Sequence, residues 1–238
     1  MRVISPNGEA GRPAREMIAA LQPQLVFAVG QSAYDPLRRL QLPVVVALAY
    51  HRLSPSHVIL PGQPPADQVL RAFRLARPQL GAVGVLHGPE AAGYVETARA
   101  AARQLGMSLH SLLAATPERA ISRLRAAGSV QGLWLLADLN VLHPQVFQYA
   151  LGLQFRHRVP VMGATRRHAA QGALFALDYA PGSLGQQAAV AANQILAGID
   201  PRSTSAAVQL RLSLNLSSAR RIGADVTALR GHAEEVFQ

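Results

Sequence analysis

The stretch VPVMGATRRHAAQGALFALDYAPGSLGQQAAVAANQILAGIDP (Val159–Pro201), followed by LRLSLNLSSARRIG (Leu210–Gly223), decides how the fold is read. It opens with an apolar run over Val159–Met162 that is sized for a strand, and a short basic segment then turns helical. A second strand ends in Asp178-Tyr179. A Gly-flanked helix closes at Ile195-Leu196-Ala197-Gly198, and a late strand–helix unit spans Leu212–Gly223. Strands that are apolar throughout, without alternation, mark parallel strands buried on both faces. Their alternation with helices predicts parallel sheets covered by helices.

The rest of the chain repeats this order. Arg2–Ser5 reads as a short strand and Glu9–Leu21 as a helix with apolar Ala10, Ala14, Met17, Ile18 and Leu21 on one side. Leu25–Val29 is a strand that turns through Gly30-Gln31-Ser32 into a helix over Ala33–Leu40, and Val44–Ala49 is the next buried strand. Ser54–Pro65, rich in Pro, Ser and Gly, reads as a connecting loop between lobes. A helix over Asp67–Ala76 follows, with Pro64-Pro65 before it and Pro78 beyond it.

A second series starts with the strand Ala82–His87. It continues with the helix Glu90–Leu105 capped by Gly106, the strand Met107–Ala114, and a helix to Ala127 opened by Thr116-Pro117-Glu118. The strand Val130–Leu136 leads to Asp138-Leu139-Asn140, and a helix over Pro144–Arg156 follows. The fold class expected is α/β, with two Rossmann-like lobes of parallel sheets flanked by helices.

Composition narrows the function. In 238 residues, half apolar and 15% charged, no apolar run approaches the roughly 18–20 residues that span a bilayer. All 23 basic residues are arginine, so there is no lysine for a Walker phosphate site, a Schiff base or pyridoxal attachment. With no cysteine there is no disulfide, thiolate nucleophile or thiolate metal site. The net charge of +10 favours anionic partners, but the arginines are scattered and aromatics make up only 5%. That composition reads as a compositional bias more than as a built basic surface, and it supplies no stacking platform for nucleic acid.

The eight histidines show no tight ligand spacing, so no metal or other cofactor is expected. GxSxG and GxGxxG after a strand are both missing, and no nucleophile–base pair is evident, so the expectation is a protein without catalysis. Asn215-Leu216-Ser217 matches a glycosylation pattern, but it falls in a strand-to-helix turn and is set aside.

Open parallel sheets bind ligands beyond the carboxyl ends of their strands. The candidates are therefore Gly30, Gln31 and Ser32, Tyr50, His87 and Glu90, Asp138 and Asn140, Thr165, and Asp178. Gly30 allows close backbone approach, and the amides at the following helix start suit a carboxylate. Asp138 and Asp178 suit an amine, and Tyr50 suits stacking on an apolar or aromatic group. The competing readings are structural: Ser32 as a helix cap, Asp138 and Asn140 as capping or turn residues, Asp178 as a hinge stabiliser, and Tyr50 as core.

The serial order of LQPQLVFAVGQSAYDPLRRL (Leu21–Leu40), LPVVVALAY (Leu42–Tyr50), LGAVGVLHGPEAAGYVETARAAARQLGMSL (Leu80–Leu109), VQGLWLLADLNVLHPQVFQYAL (Val130–Leu151) and the closing stretch resembles the ABC-transporter substrate-binding proteins. The likeness is to the periplasmic-binding-protein type that includes tryptophan/tyrosine uptake proteins. It implies a first lobe of residues 1–62 plus about 180–198, a second lobe of 63–176, and a hinge-side strand and C-terminal helix in 199–238. It further implies a small-molecule ligand, amino-acid-like or an aromatic acid, enclosed by hinge closure. The same ten residues would face that ligand, with delivery to ABC permease subunits. A periplasmic or membrane-anchored extracytoplasmic location follows, and a homodimer is allowed.

The alternative on the same fold is a sensory or scaffolding domain that signals to a partner protein. Two departures stand out. Met1 corresponds to the approach to the family's second strand, so the first lobe is expected to lack a strand–helix unit. HRLSPSHVILPG (His51–Gly62) replaces the usual Gly-Asn-x-Thr-Gly turn.

Overall fold

The apolar runs Val44–Ala49 and Ala82–His87 form strands over those same residues in the computed structural model. The structure describes residues 13–37, 40–50, 57–128, 130–138, 141–200 and 208–238. In chain order the elements of its first half are α1 (Ala14–Leu21), β1 (Val26–Val29), α2 (Gln31–Tyr34), β2 (Val44–Ala49), β3 (His57–Pro61), α3 (Ala66–Ala76), β4 (Ala82–His87), α4 (Ala92–Gln104), β5 (Ser108–Leu113) and α5 (Pro117–Ala126). The second half adds β6 (Gly132–Leu135), α6 (Pro144–His157), β7 (Val161–Gly163), α7 (Arg166–Ala170), β8 (Phe175–Tyr179), α8 (Pro181–Leu196), β9 (Leu210–Asn215), α9 (Leu216–Ile222), α10 (Thr227–Arg230) and β10 (Glu235–Phe237). They fall into two units: residues 1–62 with 180–209, and residues 63–179 with 210–238.

The expected strand Arg2–Ser5 and the start of the Glu9 helix lie outside the described residues. Other expectations need correction. The loop expected over Ser54–Pro65 contains β3, because His57-Val58-Ile59-Leu60 pairs in parallel with β2 from Val44↔His57 onward. The helix expected over Ala33–Leu40 is the short α2 followed by a 3-10 turn over Asp35–Leu37, where Pro36 has no amide to continue an α-helix. The chain ends in β10 rather than in a helix, and Glu235 pairs with Ser213 of β9.

In the first unit β1, β2 and β3 lie side by side, all parallel. Ile18, Ala28, Tyr34, Leu37, Val44, Val46 and Ala49 form one buried cluster with α1 and α2. Within it the Tyr34 hydroxyl and His57 Nδ1 are hydrogen-bonded at 2.8 Å. α8 packs on β2 and β3, burying Leu184, Ala188 and Ala191.

Near its carboxyl end β2 carries a bulge at Leu48, which adopts a left-handed φ of 61°. A Cβ on Gly62 would lie 2.8 Å from the Leu48 carbonyl carbon, so this approach requires glycine.

In the second unit the sheet order is β10-β9-β8-β7-β6-β4-β5, parallel throughout except for the β8–β9 pair. Leu86, Leu112, Leu133, Leu135 and Val161 pack with Leu124 of α5 and with Val146 and Phe147 of α6. Phe73 of α3 meets Phe175 edge-to-face at 5.0 Å, and Tyr94 of α4 meets Trp134 at 5.7 Å.

Buried polar side chains fix the strand starts. Gln154 Oε1 accepts from Val161 N at 3.1 Å and from Leu174 N at 3.0 Å, while its Nε2 donates to Gly172 O at 2.7 Å. Asn215 is buried and caps α9 through Ser218 N at 2.8 Å, donating in turn to Ala169 O at 2.9 Å. Thr116 caps α5 by accepting from Arg119 N, as its sequence predicts.

Candidate functional site

Because β4, β6, β7 and β8 run parallel, their carboxyl ends form one rim of the second unit's sheet. Four loops meet there: His87-Gly88-Pro89-Glu90, Leu136-Ala137-Asp138, Ala164-Thr165-Arg166, and Asp178-Tyr179. β9 runs antiparallel to β8, so its first residues, Leu210 and Arg211, join the same rim opposite Tyr179 and Asp178.

His87 is buried, and both ring nitrogens are engaged within the fold. Nδ1 lies 2.8 Å from Gly88 O, which only accepts, so Nδ1 carries a proton. Nε2 lies 2.7 Å from Ser111 Oγ. Burial, the largest influence, lowers the pKa of the imidazole, which leaves Nε2 accepting from the Ser111 hydroxyl in a neutral ring.

The Asp138 carboxylate packs over Gly88: a Cβ there would stand 2.7 Å from Asp138 Cγ, so any larger residue would displace the carboxylate. Its backbone forms the turn, donating to Leu136 O at 2.9 Å and accepting from Leu142 N at 2.8 Å. Glu90 is exposed in a 3-10 turn over Pro89–Ala91 that leads into α4, where the helix dipole favours a carboxylate. Asn140 lies outside the described residues.

Thr165 starts α7, and its Oγ1 lies 3.1 Å from His168 Nδ1. The His168 ring meets Phe147 edge-on at 4.5 Å, and burial followed by the nearby Arg167 lowers its pKa. Asp178 is committed within the protein. It accepts from Arg211 Nη2 at 2.9 and 3.1 Å, from Arg211 Nε at 3.1 Å, and from the Arg166 amide at 2.9 Å. Arg166 in turn pairs with Glu235 and holds its carboxyl below the usual range. The Arg166 guanidinium also sits 5.5 Å from the Phe237 ring centre, which ties β10 to the rim. Burial pushes the Tyr179 phenol up.

The first unit has its own rim. Gly30 adopts a φ of 85°, donates to Ala47 O at 2.8 Å, and has open space where a side chain would project. Gln31 is buried: Oε1 accepts from Tyr50 N at 3.1 Å and Nε2 donates to Asp35 Oδ1 at 2.7 Å. One glutamine therefore locks the Gly30 loop to the end of β2, with Ser32 exposed and Tyr50 half-buried beside it.

Gly30, Gln31, Ser32 and Tyr50 thus share one rim, and His87, Glu90, Asp138, Thr165 and Asp178 share the other. Sequence reasoning missed His168, Arg211 and Glu235. The Arg211–Asp178 pair appears only once β8 and β9 are set in register.

The family model described as ABC transporter substrate binding protein matches residues 62–229. The chain belongs to this family. The family is a substrate-binding, non-catalytic one and is extracytoplasmic in bacteria. Among the described residues no helix is long and apolar enough to cross a membrane.

A conserved domain protein from Vibrio cholerae is similar in structure, with a TM-score of 0.76 at 19% identity over 92% of this chain and 80% of that one. The ABC domain from Streptococcus pneumonia in complex with L-Trp has a TM-score of 0.74 at 16% identity, covering 93% of this chain and 81% of that one. A ligand-free, open substrate binding protein with adhesive properties from Clostridium difficile has a TM-score of 0.64 at 15% identity, covering 93% and 81%. These likenesses establish the fold, that of the type I periplasmic-binding proteins. Among curated proteins, none matches the sequence.

Proposed function

We propose that this family member binds an amino-acid-like or aromatic-acid ligand at the carboxyl-end rim of its second unit and delivers it to the permease subunits of an ABC uptake transporter. The observation that carries this reading is the second unit's rim, where the Asp138 carboxylate and the Thr165 hydroxyl stand at neighbouring strand ends. The L-Trp held by the pneumococcal relative supports the ligand class.

In this reading Asp138 receives the ligand's amine, with Thr165 and Glu90 adding polar contacts. Gln31, His87 and Asp178 are positioning residues, because their polar atoms are used in holding the loops.

Thermal-shift measurements against the protein amino acids and simple aromatic acids test the reading. A true ligand at a hundred times its Kd stabilises by about 2.7 kcal/mol, a shift of several degrees. A flat response across that panel overturns the ligand class. Asp138→Asn should abolish the shift from an amine-bearing ligand, and an unchanged shift removes Asp138 from the site.

A further inference from the structure

At the amino end of the second unit's sheet the charge pattern is one-sided. α6 finishes on Arg156 and His157, and Arg158 caps it in the left-handed region at a φ of 56°, a position where glycine is favoured. α9 packs on α6, and the Arg221 guanidinium lies 4.3 Å from the centre of the Phe155 ring. Arg220 leans towards the start of α9, donating to Ser217 Oγ at 3.4 Å. α5 packs on α6 and carries Arg125 in its last turn, leading, as α6 does, into the amino end of its strand.

All six side chains are exposed, and none of the five arginines forms an ion pair among the described residues. The sequence contains no Asp or Glu from Leu139 to Leu177 or from Pro201 to Ala224. The helix dipole favours a cation in a last turn. It does not account for a left-handed arginine.

We propose that this α6–α9 face docks on an anionic phospholipid surface, its guanidinium groups contacting headgroup phosphates. The planar fork of arginine matches a phosphate in two hydrogen bonds. A protein partner would call for an apolar anchor at the centre of the patch. None of the exposed large apolar side chains among the described residues lies on α5, α6 or α9. An extracytoplasmic family meets a bilayer surface and does not meet nucleic acid. The face lies at the opposite end of this sheet from the rim of Asp138 and Thr165, so docking leaves that rim open.

Co-sedimentation of the full chain with vesicles of phosphatidylglycerol and phosphatidylcholine in equal parts, against phosphatidylcholine alone, tests the proposal. The expected result is binding to the anionic vesicles only, weakening as salt screens the charges. Each arginine at such a surface is worth about fivefold. The variant R156Q/R158Q/R220Q/R221Q should therefore lose more than about tenfold, while R15Q/R77Q/R103Q/R119Q, with the same net charge, stays close to the parent.

Equal losses in the two variants reduce the effect to net charge and overturn the proposal. Absence of binding by the parent chain overturns it too, as does binding to polyglutamate in place of vesicles. R158G separates docking from folding. It should raise Tm by relieving the left-handed residue while weakening vesicle binding, and full binding by R158G overturns the docking geometry.

Discussion

In the three-stranded sheet, Phe27 and Val29 of β1 are 50% and 56% exposed, and Leu48 of the β2 bulge is 44% exposed. In the seven-stranded sheet the large apolar strand residues left this open are Leu113 of β5 and Val236 of β10, its two edge strands. The difference is one of proportion. Among the described residues, two strands in three are edges in the small sheet and two in seven in the large one, so the large sheet buries most of its strands on both faces. Structural demands should therefore weigh most in the second unit's interior, while the first unit should tolerate change along β1 and resist it at the Gly62–Leu48 approach.

The largest expected effect is on Phe73→Ala. Phe73 is fully buried against Phe175, and its truncation should remove about 3–5 kcal/mol from the second unit. Trp134, the chain's one tryptophan and part of this unit, reports it by fluorescence during denaturant unfolding. A loss below about 1 kcal/mol would contradict the close packing assigned to this core.

Next is Gly62→Ala, expected to cost the first unit about 1–3 kcal/mol, because the new Cβ meets the Leu48 backbone rather than a movable side chain. Hydrogen exchange should quicken in β2 and β3 while the Trp134 transition stays put. Unchanged exchange would show that the bulge yields.

A smaller effect concerns pH. His87 and His168, both in the second unit, have pKa values lowered chiefly by burial. The unfolded chain, with histidines near about 6.5, then binds more protons than the folded one, so stability rises with pH through this window and is lost as pH falls below it. Melts followed at Trp134 should shift down between neutral and mildly acid pH, and His87→Gln should flatten that slope. An equal slope in the variant rules out His87 as its source.

The smallest effect belongs to Phe27→Thr on the exposed edge, expected within about 0.5 kcal/mol of the parent. A large loss there in hydrogen exchange would mean that β1 is covered in solution.

The same edge-and-interior distinction governs what could be read in advance. Interior strands such as Val44–Ala49 and Ala82–His87 show as unbroken apolar runs because both faces are buried. β3 and β10 did not show. His57–Pro61 sits among prolines and glycine, and Glu235–Phe237 is only three residues long and begins within the acidic pair Glu234-Glu235, so each is a strand only by virtue of the neighbour it pairs with.

At the candidate site the loops were legible, because strand ends and turn residues are local features. The use made of each side chain was not. Asp178 looks like a ligand carboxylate until Arg211, 33 residues away, is placed beside it. His87 looks available until Ser111 of β5 takes its second nitrogen.

The sequence by itself determined the α/β class, the run of strands and helices and the loops at which a site could stand. Those depend on local hydrophobic pattern, caps and turn residues, whose reach is a few positions along the chain. Only the tertiary structure decided which carboxylates and imidazoles are spoken for. It also decided that scattered arginines gather on α6 and α9 and that glycine is obligatory at Gly62. Those depend on strand register and helix packing, which bring together groups tens of residues apart with no signal in either segment alone.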